Sequence, residues 1–151
     1  MDRGITRMKE IKDFLYKLIR NDATFKSLTG ADSKDPRIYF FYPPDDVVVS
    51  DEKPCYVTYY LGAGAGLPDP HVNSVQRPDE VYTFDIWGKD IDVIEDVFER
   101  IDALFFETNR FETSGYRILR ASRERQNDLP DPDDEFRRKI VEYRIGHIMK
   151  K

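Results

Sequence analysis

Between Ile91 and Phe105 the apolar residues Ile91, Ile94, Phe98, Ile101 and Phe105 recur at steps of three and four, which lays them along one side of an α-helix. Asp90 is placed to cap it. Directly upstream, Glu80–Trp87 alternates: Val81, Thr83, Asp85 and Trp87 share one face of a strand, while Tyr82, Phe84 and Ile86 share the other. A strand that runs almost directly into an amphipathic helix constrains the whole chain, because the helix stripe and one sheet face must bury each other.

The remaining segments fit that frame. Met8, Ile11, Leu15, Leu18 and Ile19 form a second helical stripe, which predicts a helix over about 5–20. Asn21 or Asp22 caps a short helix carrying Phe25 and Leu28, and Gly30 suits the left-handed position that ends it. Arg37–Tyr42 reads as a strand stopped by Pro43-Pro44, Asp45–Lys53 as a loop and Cys55–Leu61 as a strand. Gly115–Gln126 and Glu135–Ile148 read as a closing pair of strands around Asn127–Asp134, where Pro130 and Pro132 interrupt regular structure. The prediction is an α+β fold, a mostly antiparallel β-sheet packed against two long α-helices, with long loops and a protruding C-terminal hairpin. No repeat or linker divides the chain, and 151 residues suit one domain spanning 1–151.

Composition narrows the function classes. With 40% apolar and 35% charged residues the chain is globular, and its net charge of −5 disfavours a nucleic-acid binder acting through its overall field. Cys55 is the single cysteine, so no intrachain disulfide forms and a cysteine-based zinc site is disfavoured. The first residues offer neither an apolar signal core nor a cleavage site, and no window approaches the ~20 apolar residues of a membrane span. The expectation is a protein that starts in a cytoplasm and does not engage a membrane.

Leu61–Val72, LGAGAGLPDPHV, invites comparison with a phosphate loop. A dinucleotide fingerprint requires glycine where Leu67 stands and a helix immediately after, but Pro68 and Pro70 push the residues before them out of the helical region. The Gly-Lys-Ser/Thr of a Walker loop is absent. The Gly62–Pro78 connection is instead long for a hairpin, and loops of that length are usually functional or disordered. Gly62, Gly64, Gly66, Leu67, Asp69 and His71 are its candidate partner contacts.

No catalytic constellation is legible. His71 and His147 have no metal-motif neighbours, Cys55 has no histidine partner and begins a core strand, and the acidic pairs lie in proline-flanked turns. The expectation is no enzyme, no cofactor and no metal. Trp87 and the aromatic strands offer a base-stacking platform or, more simply, core. The last hairpin differs: Arg123, Glu124, Arg125, Arg137, Arg138 and Lys139 lie beyond its apolar base, and Asp128, Asp131, Asp133 and Asp134 mark its tip. Either the hairpin is simply a solvated arm, or its acidic tip faces the basic stem of a neighbouring copy and gives the head-to-tail complementarity that closes a ring, with Arg123, Arg125, Asp131, Asp133, Asp134, Arg137 and Arg138 as the candidate interface.

Taken in order, these elements resemble the tail completion or tail terminator family of long-tailed bacteriophages. The resemblance is carried by the helix and Asp-Ala segment of Ile11–Leu28, by Ile38-Tyr39, by Pro54-Cys-Tyr-Val-Thr-Tyr59, and by Phe-x-Ile-Trp-Gly-Lys at Phe84–Lys89 running into the long helix. A final strand pair completes a pattern that covers nearly the whole chain. The resemblance implies a virion structural protein without catalysis: a ring, commonly of six subunits, that sits on the finished tail tube, stops its growth and offers a surface for head-tail joining. It implies as partners further copies of the chain, the major tail tube protein and the connector or neck protein, at the head-proximal end of the tail after assembly in the host cytoplasm. Loops and free sheet edges carry the contacts in that family. Two alternatives remain, a head-closure or neck protein of the connector and, from a different class, a small RNA- or single-stranded-DNA-binding module whose binding is salt-sensitive.

Overall fold

A computed structural model describes residues 3–61, 79–107, 116–130 and 137–149. The elements are α1 (Arg3–Arg20), α2 (Ala23–Thr29), β1 (Ile38–Phe40), β2 (Cys55–Leu61), β3 (Asp79–Gly88), α3 (Ile91–Glu107), β4 (Tyr116–Pro130) and β5 (Arg137–Met149). The strands form one sheet in the order β1-β2-β3-β5-β4. Every neighbouring pair is antiparallel except β1 and β2, which run parallel.

One face of the sheet meets the helices. Val57 and Tyr59 of β2, Tyr82, Phe84 and Ile86 of β3, and Val141, Tyr143 and Ile145 of β5 are buried there together. They close against Ile11, Leu15 and Ile19 of α1 and Ile94, Val97, Phe98, Ile101, Leu104 and Phe105 of α3. Of the two faces that the alternation of β3 separates, the one carrying Tyr82, Phe84 and Ile86 faces inward. Ile91, counted in the α3 stripe, is instead 49% exposed, because at the first residue of the helix it lies beyond the sheet-facing turns. Two hydroxyls that enter the core find partners: Tyr59 donates to the Lys12 carbonyl at 2.9 Å and Tyr143 to Asp102 at 2.9 Å.

The α1–α2 corner is closed by Asp22. Its Oδ2 accepts from the Phe25 amide at 2.8 Å, capping α2, and its carboxylate receives Arg100 of α3 through both Nε and Nη2, at 2.9 and 2.7 Å. At the other end Gly30 stands at φ 73°, where an added Cβ would collide with the Glu52 carbonyl oxygen. The bond from Arg100 is the main cause holding the Asp22 carboxyl below the usual aspartate range. Because the folded pKa is depressed, this stabilisation is full above the ordinary value of about 3.9 and is lost as pH falls through the folded one. Asp22→Ala is expected to cost about 2 kcal/mol at pH 7, the sum of a lost cap and a partly buried ion pair. Chemical denaturation at pH 7 and pH 3 checks this, and the gap between wild type and variant should narrow at pH 3.

Three expectations need correction. The strand expected over Arg37–Tyr42 is only Ile38–Phe40, because Arg37 and Phe41 take φ of 56° and 70°, outside the extended region, and bracket it. Asn127–Pro130, expected in the turn, continues β4 and pairs with Arg137–Ile140. Finally, β5 does not leave the sheet as a protruding arm: Arg137, Arg138 and Lys139 pair with Gly88, Trp87 and Ile86, so the basic half of the hairpin is held along β3. The reason is packing. Lys139 is only 4% exposed, its ammonium bonded to Glu95 of α3 at 2.6 Å and to Asp128 at 3.0 Å, 4.7 Å above the Phe98 ring.

Candidate docking groove on the outer sheet face

The opposite face of the sheet is built from the alternate residues of the same strands. Tyr56, Trp87 and Arg138 stand side by side across β2, β3 and β5, with Thr58 and Asp85 in the next row and Tyr60 and Thr83 beyond. Among the described residues no helix packs here. The Tyr56 and Trp87 rings are stacked 6.3 Å apart, and the Arg138 guanidinium lies 4.7 Å over Trp87.

Beside this row the chain leaving β1 forms a wall. Phe41, held at φ 70°, stacks on Tyr60 at 6.3 Å and on Tyr42 at 6.0 Å. Left-handed geometry in a bulky residue costs on the order of 1–3 kcal/mol and clusters at functional sites. Here it is accompanied by exposure: Phe41 is 51% and Tyr42 82% exposed. Together with Pro43, Thr58 and the row below, these residues enclose a groove of about 450 Å³.

Asp85 and Arg138 line it. Arg138 Nη2 donates to Asp85 Oδ2 at 2.9 Å, and the Asp85 side chain is 6% exposed against 30% for Arg138. Burial pushes the Asp85 carboxyl above the usual range, and the bond from Arg138 only partly opposes it. Asp85 Oδ1 and Arg138 Nε are buried without a hydrogen-bond partner among the described residues. The groove thus combines aromatic walls with a half-satisfied ion pair, and among the described residues that line it no nucleophile, base and oxyanion donors stand together.

The predicted site residues are distributed differently. Gly62, Gly64, Gly66, Leu67, Asp69 and His71 lie outside the described residues, as do Asp131, Asp133 and Asp134. Arg123 turns toward α3, paired with Asp102 at 3.1 Å and 5.5 Å over the Phe98 ring, while Arg125 is opposite Glu142 in β4. Arg137 is exposed at the start of β5, and Arg138 belongs to the groove. Cys55 is buried, its thiol pushed up to about 12 by burial, which keeps it out of thiolate chemistry. Sequence reasoning missed the Asp85–Arg138 pair. The signal available was Asp85 itself, an acid between Thr83 and Trp87 on a strand otherwise suited to burial.

No protein-family model matches the sequence, and no curated protein matches it. Among solved structures, a chain of the virion of a native gene transfer agent particle superposes with a TM-score of 0.66, at 14% identity, over 90% of this chain and 92% of its own length. A second solved chain, 15% identical over 89% of this chain and 95% of its own, reaches only 0.47. At these identities the first likeness shows a shared fold.

Proposed function

We propose that this protein is a virion assembly protein of the tail terminator type, which forms a ring on the end of the tail tube, ends tube growth and provides the head-joining surface. The observation that carries the reading is the shared fold over nine-tenths of both chains with a component of a gene transfer agent virion. The order of short motifs along the sequence points the same way. The ring is proposed as a homohexamer, its partners the major tail tube protein and the connector or neck protein, at the head-proximal end of the tail.

The physics suits such a task. A tube end presents one surface several times, so modest contacts repeated around a ring bind it through effective concentration, without a deep catalytic pocket. The Gly62–Val72 loop and the tip of the β4–β5 hairpin are the proposed contact elements. Because Arg123 is engaged with Asp102, reversing it would disturb the fold as well as an interface. The exposed Arg137 is the cleaner probe.

Sedimentation velocity across a wide concentration range, with and without tail tubes and followed by electron microscopy, tests the reading. A closed ring, free or on tube ends, with tubes that stop lengthening, is the expected result. A strict monomer that leaves tube growth unchanged overturns it. Arg137→Glu should weaken self-association if the basic stem meets the acidic tip of the next copy; unchanged assembly sinks that part. Co-assembly with portal rather than tube proteins would instead favour the neck role.

A further inference from the structure

The outer-face groove contains a feature that ring formation leaves unused, a carboxylate almost wholly buried yet half satisfied. A guanidinium can meet a carboxylate through two parallel bonds, but Arg138 and Asp85 make one, leaving an acceptor, Oδ1, and a donor, Nε, without partners. A polar group left buried and unpaired is costly, and each calls for something that offsets it.

The surroundings specify what that is. Phe41, Tyr42, Tyr56, Tyr60 and Trp87 put five aromatic rings around the pair, and ring faces attract cations. Asp45 and Asp46 are exposed two and three residues after Pro43, which lines the groove, and the chain as a whole carries −5. A nucleotide would bring a phosphate toward Asp85 with Arg138, already bonded to that carboxylate, as the one cation lining the groove. A cationic side chain suits both the ring faces and the open acceptor on Asp85.

We infer that the groove receives a lysine or arginine side chain from an extended segment of another protein. The cation stands against the aromatic walls and donates to Asp85 Oδ1, uncovered by a small shift of the Arg138 guanidinium that keeps its bond to Oδ2, and a main-chain carbonyl of the same segment accepts from Arg138 Nε. The Arg138 side chain is 30% exposed, which leaves room for that shift on its solvent side. Phe41, held in its left-handed conformation, keeps the wall in place before the segment arrives. This goes beyond the ring and does not depend on it.

Trp87 is the only tryptophan, so its fluorescence reports the groove directly. The full chain is titrated with the capped tripeptides Gly-Arg-Gly and Gly-Lys-Gly, with Gly-Leu-Gly and with adenosine monophosphate. The arginine and lysine peptides are expected to give a saturable change, weakened by added salt, with at least about fivefold higher affinity than the leucine peptide. Asp85→Asn, close in shape and without the charge, should lower that affinity about tenfold, and Tyr42→Ala about threefold. Tyr42 is 82% exposed, so its variant keeps the fold and decides the matter even where Asp85→Asn does not fold. Equal binding of the leucine peptide, tighter binding of the nucleotide, no saturation by the cationic peptides, or unchanged affinity in Tyr42→Ala overturns the inference.

Discussion

Replacing Arg37 by alanine is expected to destabilise the protein by about 3–5 kcal/mol, lowering the midpoint of thermal unfolding by roughly 10 °C. The side chain is fully buried. Its Nε donates to the Cys55 carbonyl at 3.0 Å, Nη2 to the Lys53 carbonyl at 3.0 Å and Nη1 to Asp35 at 3.2 Å. Removing the guanidinium takes a donor from both carbonyls and a cation from Asp35, at about 1–3 kcal/mol for each buried group left short; the Lys53 carbonyl keeps the Ser50 amide at 3.0 Å. Arg37→Lys should recover little, since one ammonium cannot reproduce a planar fork. Arg37→Gly separates side chain from backbone: at φ 56° glycine relieves strain, so this variant should stand about 1 kcal/mol above alanine while losing the same bonds. Differential scanning calorimetry checks the series, and a loss below about 1 kcal/mol for alanine would show that other groups satisfy those carbonyls.

Phe84→Ala is the second large effect, about 3–5 kcal/mol, read as a fall of roughly 2 M in the urea midpoint. Phe84 is wholly buried, its ring stacked on Tyr59 at 5.3 Å and meeting Phe105 at 5.7 Å and Tyr143 at 5.6 Å edge-on. The cavity would open where β2, β3, β5 and α3 meet, and three large rings cannot close it without leaving their rotamers. Phe41→Ala on the outer face provides the contrast. With half its surface in water, Phe41 should change stability by less than about 1 kcal/mol. If both substitutions cost the same, the inner face alone does not hold the core.

The elements most legible in the sequence are those whose signals are local. Cys55–Leu61 matches its predicted span, and α2 is capped at Asp22 and ended at Gly30 as composition suggests. The two faces of β3 follow from alternation alone. Less legible is anything set by a partner strand. Nothing in Arg37–Tyr42 announces that β1 pairs in parallel with β2, since the same apolar run suits either direction. The groove is harder still: Tyr56, Asp85, Trp87 and Arg138 are brought together by register across three strands, and each residue alone looks like surface or core.

The β4–β5 hairpin divides the two kinds of information most clearly. Arg123 and Asp128 are five apart, so in a regular strand they would face opposite sides of the sheet. Both are on the helix side, bonded to Asp102 and Lys139, because the register slips by one residue between Arg123 and Arg125. That bulge adds a residue to one strand and restores the common face. Composition and spacing determined the elements, their order and the inner face, because helix and strand periods act over a few residues and every stripe must be buried. Register, the bulge, the burial of Lys139 and the half-satisfied Asp85–Arg138 pair were decided only by tertiary structure, because each depends on which distant residue stands opposite once β3, β5 and α3 have packed.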